Sequence, residues 1–180
     1  PFGNDGDFSH QAMVNRMNGE LANDYGNLAQ RVLAMIAKNC EGQVPAPGPF
    51  TADDDNLLAQ ATALEGALRE RMEVQAFHEA LEAIWTVVRA ANAYVDAQAP
   101  WKLRKTDPPR MATVLYVLAD TIRQLAILTQ PFMPDASAKL LDQLGIGDEQ
   151  RAIASLSLRL TPGSVLQAPE GVFPRFQEDD

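Results

Sequence analysis

The run Asp107 to Pro131, DPPRMATVLYVLADTIRQLAILTQP, decides the fold. Asp107 is a natural helix cap, and Pro108 suits the first helical position, where its missing N–H costs nothing. From there Leu115, Leu118, Ile122 and Leu125 recur at steps of three and four until Pro131 stops the helix. Met111 to Leu128 is the most apolar segment of the chain, yet Asp120 and Arg123 lie near its middle. Two charges at that depth would be costly in hydrocarbon, so the segment reads as a core helix and not as a membrane span.

Similar patterns extend outward on both sides. Phe77, Leu81, Ile84, Trp85, Val88 and Val95 trace a preceding helix, which must stop near Pro100 because proline disfavours helical geometry in the residue before it. Thr51, followed three residues later by Asp54, is a capping-box-like opening for a stripe of Leu57, Leu58, Ala61, Leu64, Leu68 and Met72. Ser9 caps a long first helix running to about Asn39, with Met13, Met17, Leu21, Tyr25, Leu28, Val32 and Ile36 on one face. Gly42, Pro45, Pro47 and Pro49 end it. Gly19 and Gly26 lie inside it, each at a cost of about 1 kcal/mol against alanine, and predict a kink or a close helix contact. Downstream, a shorter helix spans Asp135 to Leu144 and ends at Gly145, with a further helical turn near Gln150. Leu156 to Leu160 (LSLRL) is the one strand-like stretch before an extended tail with Thr161, Pro162, Gly163 and Pro169. The expected fold is all-α: an antiparallel bundle of about five helices over residues 9–147, with a C-terminal tail over 148–180.

At 180 residues and 46% apolar content the chain can bury one substantial core. A formal net charge of −9 argues against a non-specific nucleic-acid binder, which depends on neutralising phosphates. Between Lys102 and Arg110, however, four cations (Lys102, Arg104, Lys105 and Arg110) face the single anion Asp107. An acidic body with a small basic edge suits a protein that reads a few exposed bases. No basic start followed by an apolar run marks the chain for export, so the expected compartment is cytoplasmic. Cys40 is the sole cysteine, which excludes an internal disulfide and a cysteine-based zinc site in this chain.

Catalytic arrangements fail on inspection. His78 and Glu79 begin like a zincin helix, but the second histidine one turn on is missing. No Glu-x-x-His pair and no glycine-rich phosphate loop occurs. His10 and His78 read as surface or cap residues. The carboxylates Asp53, Asp54, Asp55, Glu79 and Glu82 read as helix starts or exposed faces, where the helix dipole and solvent favour them. No catalytic residue and no metal ligand is expected within the chain.

Two constellations remain once core and caps are removed. Asn23, Asn27 and Arg31, spaced by four, place two amides and a guanidinium along one stripe of the first helix. Pro100, Trp101, Lys102, Arg104 and Lys105 place an indole at a helix–loop junction among cations. Trp85 falls on an apolar stripe and reads as core, whereas Trp101 does not. An indole beside cations can stack an unpaired base while the cations hold its phosphate, and the amide and guanidinium can meet the base edge.

These residues resemble a known family. Pro1 to Asp24 (PFGNDGDFSHQAMVNRMNGELAND) with Gly26 to Arg31 (GNLAQR) is similar to the segment after the signature loop of bacterial methionyl-tRNA synthetases. Tyr94 to Lys102 (YVDAQAPWK) resembles their anticodon-reading corner, and Val172-Phe173-Pro174-Arg175 the closing motif of the shorter forms. The resemblance implies the helical anticodon-binding part of a class I aminoacyl-tRNA synthetase. Its partner would be methionine tRNA, met through the CAU anticodon loop. Trp101 would stack on the first anticodon base, Pro100 would shape its loop, and Asn27 with Arg31 would read base edges, with Lys102, Arg104 and Lys105 as phosphate contacts. Residues 1–8 would be a remnant of the junction with the catalytic domain, and the tail over 148–180 would pack back towards it. That domain carries HIGH-type and KMSKS-type motifs, uses ATP with magnesium and often bears a zinc knuckle; none of these motifs is in this sequence, so no cofactor is expected here. Without the additional C-terminal dimerisation domain of longer members, a monomer is expected. The anticodon domain of another class I synthetase and a helical interaction module without nucleic acid are the alternative readings of the same architecture. On the family reading the pure chain should catalyse no methionine-dependent ATP–pyrophosphate exchange; measurable exchange would contradict it.

Overall fold

In the computed structural model, which describes residues 9–176, the run after Asp107 forms the helix Pro108–Thr129. Counting along the chain this is α6, after α1 (His10–Arg16), α2 (Asn27–Asn39), α3 (Ala52–Glu73), α4 (Phe77–Gln98) and α5 (Pro100–Thr106); α7 (Pro134–Gln143) follows. The Asp107 side chain accepts the Arg110 N–H at 3.0 Å, the expected cap. Every residue of α6 from Thr113 to Thr129 is buried. It is long and apolar enough to span a membrane, but 94% of its apolar window is buried inside the protein. Helices α2, α3, α4, α5 and α7 all pack against it. The short connection between α3 and α4 makes them an antiparallel pair, as the bundle reading required.

The two charges inside α6 tie down the tail. The Asp120 carboxylate accepts from Arg123 Nε (2.9 Å), Arg159 Nη1 (2.7 Å), Gln124 Nε2 (3.1 Å) and the Leu160 N–H (3.1 Å). The Arg123 guanidinium donates to the carbonyls of Ser155, Leu156 and Leu158, and Tyr116 donates to that of Leu160 at 2.9 Å. A buried charge persists only when its hydrogen-bonding capacity is filled, and here the filling comes from the tail. This is why LSLRL is not a strand. Ile153–Ser157 is a 3₁₀ helix and Leu158 is extended, with the carbonyls of Leu156 and Leu158 spent on Arg123. Among the described residues the sole β contact is an isolated antiparallel bridge between Gln43 and Val165, where the tail crosses the loop after α2. Gly145, at φ +69°, lets the tail pass: a Cβ there would lie 2.5 Å from the Val165 carbonyl oxygen.

The long first helix is present but is not regular. Ser9 caps it, accepting the Ala12 N–H at 3.2 Å. Between α1 and α2 the segment Met17–Gly26 is a π-helix, which contains both suspect glycines. Four-residue spacing of the apolar positions does not by itself require the wider turn, since Leu28, Val32 and Ile36 keep that spacing and are buried in the regular helix α2. Helix α4 supports the segment, since Trp85 Nε1 donates to the Glu20 carbonyl (3.3 Å) and Asn92 Nδ2 to that of Asp24 (3.2 Å). Gly26 has a packing reason, because a Cβ would meet the Phe173 ring at 3.3 Å; Gly19 has no close neighbour. Two residues of the expected stripes face outward. Met13 is 40% exposed, with Val14 buried in its stead, and Met72 lies at the fraying end of α3. The expected junction at residues 1–8 lies outside the described residues.

A further polar cluster corrects one expectation, the place of Arg110. The Thr51–Asp54 capping box forms as the spacing predicts, and Asp54, at this helix start, is fully buried. Arg110, counted above with the free cations, grips it: Nη1 lies 2.5 Å from Oδ2 and Nη2 2.8 Å from Oδ1, and the Tyr94 hydroxyl donates to Oδ1. Helices α3, α4 and α6 are thus pinned together at one end. Burial alone would push the Asp54 carboxyl up, but the hydrogen bonds from Arg110, the Thr51 N–H and Tyr94, with the Arg110 charge, hold it at about 2. Because the folded value lies below the ordinary 3.8, this stabilisation is complete above pH 4 and is lost as pH falls towards 2. Asp54→Asn should therefore cost about 3–5 kcal/mol at neutral pH by leaving Arg110 unpaired, and should flatten the acid limb of stability. Denaturant titrations from pH 7 to 2 check this; parallel acid limbs for the two proteins would contradict it.

Candidate nucleic-acid interface

Helix α4 ends at Gln98, and Ala99 then takes a left-handed conformation (φ 45°, ψ 59°) before Pro100 opens α5. A non-glycine residue there costs about 1–2 kcal/mol, so the corner is held by its surroundings. The expected helix–loop junction is instead a helix–helix corner: the Lys102 and Leu103 N–H groups donate to the Ala99 carbonyl at 2.8 and 3.3 Å. The missing N–H of Pro100 suits the first position of α5, and the helix continues for seven residues. Pro100 is buried and Leu103 packs on the core, which turns Trp101, Lys102, Arg104 and Lys105 outward.

Trp101 is 43% exposed. The Arg31 guanidinium carbon lies 5.6 Å from its ring centroid, within cation–π range. Arg31 also meets Asp96, with Nη2 3.2 Å from Oδ1, a solvent-exposed pair worth at most about 1 kcal/mol. The two constellations found in the sequence, far apart along the chain, therefore meet at one surface. Leu28, Ala29, Val32 and Leu33 are buried, which leaves Asn27 and Arg31 on the outer face of α2, one turn apart.

Asn27 also borders a cleft of about 320 Å³ with Asn23, Gly26, Gln30, Phe173 and Arg175. Arg175 donates to Asn23, and Phe173 packs on Tyr25 at 5.6 Å between ring centroids. Asn23 is thus engaged by the tail, while Asn27 stays exposed. Lys102, Arg104 and Lys105 are exposed and form no ion pair among the described residues. Arg110 does not belong to this edge. Nor do three His, Cys, Asp or Glu side chains converge anywhere among the described residues in a way that could hold a metal.

Asp96 and Gln98, also in the YVDAQAPWK stretch, hold Arg31 and Arg110 respectively, contacts that the motif alone does not reveal. Asp96 carried a legible signal, one acid next to a basic edge. Gln98 did not, since its partners Arg110 and Asp53 are 12 and 45 residues away.

The family of the anticodon binding domain of methionyl tRNA ligase matches residues 44–180, more than half of the chain. The chain belongs to this family. The family of class I tRNA synthetases for methionine matches residues 1–33. Methionine–tRNA ligase of Brucella suis is 54% identical over 181 residues, covering 100% of this chain and 35% of its own length. The corresponding ligase of Mycobacterium tuberculosis is 49% identical, covering 98% of this chain. The chain spans about a third of the length of these relatives. Two solved structures of the Mycobacterium tuberculosis methionyl-tRNA synthetase superpose with TM-scores of 0.98 (apo form, 99% of this chain and 37% of that one) and 0.95 (complex with methionyl-adenylate, 97% and 35%). Both are 49% identical to it.

Within this methionyl-tRNA ligase domain the two tryptophans play different physical parts. Trp85 is 5% exposed, lies edge-on to Tyr25 at 6.2 Å and caps a π-helix carbonyl. Trp85→Ala should cost about 3–5 kcal/mol of stability, and Trp101→Ala less than about 1 kcal/mol. Equilibrium urea unfolding of both variants tests the contrast, and equal losses would contradict it.

Proposed function

We propose that this chain recognises the CAU anticodon of methionine tRNA, as the reading end of a methionine–tRNA ligase whose remaining length activates and transfers the amino acid. The observation that carries the reading is the placement of the exposed Trp101 indole against Arg31, with Asn27 one turn away and Lys102, Arg104 and Lys105 alongside. An unpaired base offers a π-face and a polar edge, and the pair supplies a stacking plane and donors for them. Trp101 stacks on the first anticodon base, Arg31 and Asn27 meet base edges, and Pro100 directs the corner. Lys102, Arg104 and Lys105 supply the local positive potential that the acidic body lacks.

Asp96 gives Arg31 a second partner. A guanidinium released from a weak exposed ion pair gains more from a base edge than one released from a buried pair, so the pair holds Arg31 near the site at little cost to binding.

In the same reading, residues 1–8 lead from the preceding class I domain and the tail over 148–180 turns back towards it. That domain holds ATP with magnesium, and zinc where a knuckle is present; the relative solved with methionyl-adenylate supports this division of labour. The parent acts in the cytoplasm as a monomer, with no membrane partner. Trp101→Ala should weaken binding of a CAU anticodon stem-loop by roughly 1–3 kcal/mol, about 5- to 150-fold, without loss of fold. Affinity for that stem-loop, against one with a changed first anticodon base, is the test. A folded Trp101→Ala protein that discriminates the two stem-loops as well as the parent would overturn the reading, and binding of neither by the parent would favour a protein-interaction module.

A further inference from the structure

The strained corner before Trp101 has an anchor that reaches into the buried Asp54 cluster. Gln98, the last residue of α4, is held at both ends of its amide: Arg110 Nη2 donates to Oε1 at 2.7 Å, and Nε2 donates to Asp53 Oδ2 at 3.1 Å. The same Arg110 nitrogen donates to Asp54 Oδ1 at 2.8 Å, and Asp54 is fully buried and also bound by Tyr94, one turn before Gln98. The starts of α3 and α6 therefore fix the final turn of α4 from two sides. Ala99 follows directly, in a left-handed conformation that persists only where neighbouring structure over-determines it.

We propose that Gln98 is a positioning residue for Trp101: by locking the last turn of α4 to Arg110 and Asp53 it sets the direction in which the corner presents the indole. The functional value of that direction rests on the base-stacking reading above. Gln98 touches no base in this account and acts only through Ala99 and Pro100. It is half-buried at the rim of the bundle, so its loss should move the corner without opening the core.

Gln98→Leu removes both hydrogen bonds at similar volume, whereas Gln98→Glu keeps the acceptor for Arg110 but sets a carboxylate against Asp53, so it is made together with Asp53→Asn, whose amide restores the second hydrogen bond. Each is compared with the 180-residue chain in a Trp85→Phe background, where Trp101 is the single indole. Gln98→Leu should raise acrylamide quenching of Trp101 and weaken the CAU stem-loop about fivefold to thirtyfold, with a melting temperature within about 3 °C of the parent. Gln98→Glu/Asp53→Asn should stay within about twofold of the parent in affinity and keep its quenching. Should Trp85→Phe not fold, the Trp101 indole ¹⁵N resonance in the otherwise unaltered chain serves the same comparison. Parent-like quenching in Gln98→Leu would overturn the proposal, as would a Gln98→Glu/Asp53→Asn protein as impaired as Gln98→Leu. If the parent itself does not distinguish CAU from a changed triplet, the anticodon reading fails. The quenching comparison still decides whether Gln98 sets the indole.

Discussion

A helix buried on every face must be covered on every side and its few polar groups paired there, and the remainder of this structure follows from that demand. Helix α6 is buried throughout from Thr113 to Thr129, so no single partner can satisfy it. Helices α2, α3, α4, α5 and α7 surround it, and the 3₁₀ segment Ile153–Ser157 of the tail packs on it as well. Apolar burial of this extent is the dominant favourable term in folding, but it is non-directional. It says that α6 will be enclosed, not which element lies on which side.

Direction comes from the polar groups that the enclosure traps. Asp120 and Arg123 can be buried only where something supplies partners, and the carbonyls of Ser155, Leu156 and Leu158 with the Leu160 N–H specify the course of the tail. Asp54 does the same at the start of α6, where Arg110 and Tyr94 bring three helix ends together. Exchanging such clusters for apolar residues need not reduce stability, and their use here is to choose one arrangement among several. The π segment follows the same pattern, its carbonyls at Glu20 and Asp24 satisfied by Trp85 and Asn92 from α4.

What was legible in the sequence was what depends on neighbours along the chain. Asp107 with Pro108, Thr51 with Asp54, and Gly145 mark helix ends through contacts three or four residues long, and all three behave as their local chemistry requires. The separation of Trp85 from Trp101 was equally local, since one fits an apolar stripe and the other does not. Arg110 was misassigned to the basic edge because its partner Asp54 lies 56 residues away, and LSLRL looked like a strand because alternation cannot reveal that Arg123 claims its carbonyls. The left-handed Ala99 was illegible for a further reason. Alanine carries no preference for that conformation, and only the pinned end of α4 imposes it.

The corner so imposed projects Trp101 beside Arg31, on the surface proposed to receive the anticodon loop. The two indole N–H groups provide the most direct test. Trp85 donates to the Glu20 carbonyl within the bundle, whereas Trp101 stands at the surface, so the two resonances report on opposite parts of the account. In a ¹H–¹⁵N titration with the CAU stem-loop, the Trp101 indole should shift while the Trp85 indole stays in place. A saturable interaction that leaves the Trp101 resonance unmoved would contradict the assignment.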